Sequence, residues 1–148
     1  MALLYHGDKD ITAVRSKIFS YGEKNLTDQM LEAERIINRT LDSRWYRANA
    51  ENNGVDWRET PFDPEKVATA SQLKRAAVYK SLQLIYMYLA KESPEADGFE
   101  RNSKNFQRLY ADEINEVLNA GIDYDWDGSD DLSSEEKSLP RIRRLRRV

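Results

Sequence analysis

From Asp63 to Glu92 the chain offers the backbone nothing that breaks a helix. Pro64 is the last proline before Pro94, and no glycine intervenes. Asp63 is a helix-capping residue type, and Pro64 suits the first helical position, where its missing N–H costs nothing. The pattern predicts one helix over 63–92, roughly 45 Å long at 1.5 Å per residue. Its first half is amphipathic, with Val67, Ala70, Leu73 and Ala77 at spacings of three and four. Its second half is apolar on nearly every side, through Leu82, Leu84, Ile85, Tyr86, Met87, Tyr88 and Leu89. Such a helix has to be covered on all sides. Leu82, Ile85, Tyr86, Met87 and Leu89 are therefore expected at an interface with further copies of the chain.

The flanking segments predict an all-α fold: a small bundle of three long helices and a short N-terminal one, with a long irregular loop and an extended C-terminal tail. Asp10 caps a short helix whose face is Ile11, Val14 and Ile18, ended by Gly22. Thr27 caps a second helix whose apolar stripe is Met30, Ala33, Ile37, Leu41 and Trp45, with Glu34 placed away from it. Residues 48–62 read as irregular. Asn53-Gly54 signals a tight turn, with Val55 and Trp57 forming a hairpin arm around it. Trp57 and Phe62 either meet a partner or fold back onto the bundle. A last helix from Phe99 to Ala120 carries Phe99, Phe106, Tyr110, Ile114, Val117 and Leu118, and Gly121 stands where a helix C-terminus takes a left-handed residue. The division expected is a helical core over 1–120 and an acidic loop with a basic arm over 121–148.

Composition narrows the chemistry. The 148 residues suit one domain, and the net charge of −3 gives no overall attraction to nucleic acid. There is no cysteine, so disulfides and thiolate chemistry are excluded. The one histidine, His6, reads as a solvated residue in an N-terminal arm with no catalytic partner beside it. No Walker or dinucleotide-binding glycine motif is present, and the expectation is a protein that is not an enzyme. The N-terminus lacks the basic and apolar regions of a signal peptide, and no apolar run is long enough for a membrane span.

Two motifs lie in the tail. In DYDWDG, the residues Asp123, Asp125, Asp127 and Gly128 match the opening of a calcium loop, where alternating carboxylates converge on one hard cation. The twelfth loop position is Ser134 rather than glutamate. An insertion of two residues brings Leu132 to the apolar position, with Ser133 and Glu136 as further ligands. The same residues also suit a metal-free turn built on Asp side chains, and Ser133 with Glu136 suits a capping box. The second motif is RIRRLRRV. Here Arg141, Arg143, Arg144, Arg146 and Arg147 bracket Ile142, Leu145 and Val148. This basic strip can dock on a protein partner, contact phosphates, or fold back on the acidic run before it.

The order of segments is DITAVRSKIF, then LTDQMLEAERIINRTL, the loop DWRETPFDPE, the long helix with its apolar end, and FERNSKNFQRLYADEINEVLNAG before a polar tail. Over residues 8–148 this order resembles the head–tail connector, or adaptor, proteins of tailed bacteriophages. The resemblance implies a small helical protein that forms a ring, a dodecamer in that family, between the portal protein and a downstream tail or neck protein. It implies a C-terminal extension that grips the portal, and DNA passing through the lumen without specific binding. It further implies a place in the virion neck, and in the host cytoplasm during assembly. The DYDWDG segment is not part of that family pattern. The alternatives are a calcium-binding helical interaction module and a nucleic-acid-binding regulator using the arginine tail.

Overall fold

In the computed structural model the described residues are 3–18, 26–92 and 97–128. They are mostly helical, with no strand among them, so the class is all-α. The elements are α1 (Asp8–Val14), α2 (Thr27–Leu41), α3 (Arg47–Asn52), α4 (Lys74–Glu92) and α5 (Asp97–Ala120). A π-turn over Asp42–Tyr46 joins α2 to α3. No helix among these residues is long and apolar enough to cross a membrane.

By its internal contacts the chain divides into two compact units. The first comprises Met1–Ile37 and Ala70–Asn115, the second Asn38–Thr69 and Glu116–Val148. The expected boundary between residues 120 and 121 falls inside the second unit.

In the first unit, Gly7 rather than Asp10 precedes α1. Asp10 occupies the third helical position and accepts a hydrogen bond from the Gly7 N–H at 2.9 Å. That bond holds the Asp10 carboxyl below its ordinary pKa, with help from Lys74. Ile11 and Ile18 are buried with Leu26, Met30, Val78, Leu82, Ile85, Tyr86, Leu89 and Phe106 in one apolar cluster. Tyr86 stacks on Phe106 at 5.9 Å, and α1 packs against α4. Gly22 lies outside the described residues.

The stripe predicted for α2 is present: Met30, Ala33, Ile37, Leu41 and Trp45 are all fully buried. The helix does not stop at Trp45. The wider π-turn, with Arg47 N–H bonded to the Asp42 carbonyl, buries the adjacent residues Trp45 and Tyr46 together, and α3 then runs to Asn52. The irregular stretch is therefore shorter than predicted, and Asn53-Gly54 makes no hairpin. Val55 N–H bonds the Ala50 carbonyl and Gly54 N–H the Glu51 carbonyl, which is a Schellman ending for α3. Gly54 has φ +72°, and a Cβ there would meet nothing within 4 Å. Gly54→Ala is thus expected to lose only backbone comfort, about 1 kcal/mol, read as a fall in the urea midpoint at unchanged slope. A loss several times larger would mean that the turn carries more than its own backbone.

The single helix predicted over 63–92 is corrected. Asp63 does cap, its side chain accepting the Glu65 N–H at 3.0 Å, and Pro64 opens a turn. That turn is a 3₁₀ turn of Pro64–Lys66 only, after which Val67 is extended, with φ −68° and ψ 106°. Val67 pairs with Tyr124 in an antiparallel bridge. Ala68 N–H bonds the Asp123 carbonyl, and Asp125 N–H bonds the Lys66 carbonyl. A second 3₁₀ turn, Ala70–Leu73, leads into α4. Hydrogen bonds to a segment far along the chain replace the intrahelical ones, and the β-branched Val67 and Thr69 suit the extended form.

α5 buries Phe106, Tyr110, Ile114, Val117 and Leu118 as its stripe predicts, with Phe99 partly buried. Gly121 follows with φ 102°.

Candidate functional site

The expectation for His6 is overturned. Its ring is buried: Nδ1 lies 2.6 Å from Glu34 Oε2, and Nε2 lies 2.6 Å from Ser81 Oγ. A carboxylate can only accept, so Nδ1 carries the hydrogen of that bond. Glu34 also accepts the backbone N–H groups of Leu4, Tyr5 and His6 at 2.6, 3.1 and 3.3 Å. It is itself buried, on the face predicted to be away from the core. Burial raises its pKa, but the hydrogen bonds from His6, Leu4 and Tyr5 outweigh burial and hold the carboxyl below its ordinary value.

Carboxylate, imidazole and hydroxyl in this order form the relay that activates a serine nucleophile. Ser81 has no exposed surface, so no substrate reaches its hydroxyl in this conformation. What the geometry does is fasten the N-terminal arm: one helix-borne carboxylate closes three successive backbone donors, and the imidazole ties them to α4.

In the second unit five aromatic rings meet. Tyr124 is 4.7 Å from Trp126, 5.6 Å from Trp45 and from Tyr46, and 5.7 Å from Phe62; Tyr46 stacks on Trp126 at 5.3 Å. Phe62, one of the two residues offered as a partner contact, is built into this cluster. The other, Trp57, is partly buried, with the guanidinium groups of Arg47 and Arg58 each 4.4 Å from its ring. Both rings fold back on the chain.

The carboxylates of DYDWDG are partly committed to the fold. Asp123 Oδ2 accepts the Thr69 hydroxyl at 2.9 Å, and Asp125 Oδ1 accepts the Gly128 N–H at 3.0 Å, an Asx-type turn. Asp125 is buried and Asp127 exposed. Among the described residues no group of three or more acidic or histidine side chains is placed to hold a metal ion. Ser133 and Glu136 lie outside the described residues, as do Arg141, Ile142, Arg143, Arg144, Leu145, Arg146, Arg147 and Val148 of the arm.

The interface expected on α4 is corrected in part. Leu82, Ile85, Tyr86 and Leu89 are 0–5 % exposed within the first unit, so they have no area left for a neighbour. Met87 is different, at 42 % exposed. With the partly buried Leu84 and Tyr88 it lines an open cavity of about 290 Å³, bordered by Asp28, Gln29 and Glu32 of α2 and by Lys91. Leu84 and Tyr88 were not among the residues expected there, because an all-round apolar helix gives no phase to tell its inner face from its outer one. No family model, curated protein or solved structure matches the chain.

Proposed function

We propose that this protein is a structural adaptor subunit of a phage neck, not an enzyme. In this reading its helices form a small bundle that assembles into a ring between portal and tail, with DNA passing through the lumen. The observation that carries it is the open apolar cavity over Leu84, Met87 and Tyr88, an uncovered strip on a helix whose other apolar side chains are already packed. The reading also rests on the connector resemblance, which is drawn from the order of segments in the sequence and its arginine-rich end. The arm 141–148 docks on the portal, its guanidinium forks pairing with carboxylates while Ile142, Leu145 and Val148 fill shallow pockets.

Deleting residues 141–148 tests this. The expected result is an unchanged melting temperature and far-UV spectrum together with loss of binding to portal protein, measured by co-sedimentation. Normal binding by the truncated chain overturns the docking role. Unfolding of the truncated chain places the arm in the subunit's own core.

A further inference from the structure

We propose that the α4 cavity receives the α1 end of a second copy of this chain, in a head-to-tail contact centred on Val14. The proposal rests on the ring reading and names its lateral contact. Among the described residues the large hydrophobic side chains with most exposure are Leu4, Val14 and Met87, at 40, 41 and 42 %. Val14 and Met87 stand in surroundings of opposite charge. Val14 is followed by Arg15, Ser16 and Lys17, which line a hollow with it, and the exposed Arg15 is steadied by its guanidinium lying 5.1 Å over the Phe106 ring. The Met87 cavity is bordered by Asp28 and Glu32, with Lys91 the cation beside them. An apolar tip with a basic edge therefore has an apolar recess with an acidic edge to enter.

One acceptor at the recess is also unmet. Gln29 Oε1 is buried at its wall with no hydrogen-bond partner. A buried acceptor left unpaired is costly, and an incoming guanidinium or backbone N–H removes that cost. Pairing one recess with another copy's recess would set Asp28 and Glu32 near their counterparts, with only Lys91 to offset them. The two patches differ, so the contact is heterologous, the type that closes into a ring when the rotation permits.

The absence of cysteine makes cross-linking free of background. Val14→Cys protein is mixed with Met87→Cys protein under mild oxidation, with each variant oxidised alone as control. The expected result is a disulfide-linked dimer in the mixture and little in either control. Glu32→Lys in the Met87→Cys chain should lower the linked fraction about tenfold, and Arg15→Glu in the Val14→Cys chain should restore it. Linkage of Met87→Cys alone as fast as the mixture overturns the contact in favour of a two-fold one. No linkage while the mass in solution is oligomeric overturns this contact and leaves the ring reading standing. No linkage with a monomeric mass at the highest concentration overturns the contact too. Linkage without portal binding overturns the neck assignment and supports the contact.

Discussion

Glu34→Ala is expected to destabilise the protein by about 3–5 kcal/mol, because several buried donors lose one acceptor at about 1–3 kcal/mol each. The substitution leaves the N–H groups of Leu4, Tyr5 and His6 and the Nδ1 of His6 without their acceptor inside the protein. Urea unfolding reads the loss. Hydrogen exchange should show those three amides opening far more than the amides of α5. Glu32→Ala is the control, because the Glu32–Arg35 pair is exposed and worth about 0–1 kcal/mol. Equal effects from the two substitutions would sink the clamp.

The same carboxylate sets part of the acid response. A glutamate whose folded pKa lies below its ordinary 4.5 adds stability that is complete above that value. The contribution is lost as pH falls through the depressed folded value. Glu34→Ala protein should therefore lose stability less steeply than the parent on acidification below that ordinary value.

Tyr124→Ala should cost a similar amount, about 3–5 kcal/mol, by emptying the centre of the five-ring cluster. Its ring touches four others, and its hydroxyl accepts the Asp63 N–H at 3.2 Å. Tyr124→Phe keeps the ring and should cost only about 1 kcal/mol. Near-UV circular dichroism and urea midpoints separate the two. Burial drives the phenol well above its ordinary pKa of 10.0, and Tyr46 moves the same way. The unfolded chain then loses its protons first, so stability should fall as pH rises past about 10, less steeply in Tyr124→Phe. A Tyr124→Ala protein with parental stability would mean the cluster is surface decoration.

The parts of the fold readable from sequence are those decided locally. The α2 stripe and the α5 stripe are periodic and short-range, and both lie buried as their spacing predicts. The Asp63 cap is likewise a two-residue matter. The continuation of that helix is decided elsewhere, by Asp123 and Asp125 reaching back to Lys66, Ala68 and Thr69 across more than fifty residues of chain. Helix propensity carries no trace of such pairing. His6 was missed although a signal existed. Glu34 directly follows Ala33 of the buried stripe, and Ser81 interrupts the apolar run of α4. A carboxylate on a buried face demands donors from somewhere, and an apolar N-terminal segment carrying a histidine was within reach.

The two units have a consequence for how the protein is made. Neither is a continuous piece of chain: the first needs residues on both sides of 38–69, and the second needs residues on both sides of 70–115. During synthesis the arm that carries His6 emerges long before Ser81, and Trp45 and Tyr46 wait exposed until Tyr124 and Trp126 leave the ribosome. The rings that later hold the second unit are, until then, sticky surface on a nascent chain. A fragment ending before residue 70 lacks the second part of the first unit, and one ending before residue 116 lacks the second part of the second. A nonsense mutation before codon 70, which leaves both units without their second part, is expected to yield a chain that aggregates or is degraded rather than a shortened subunit able to enter an assembly.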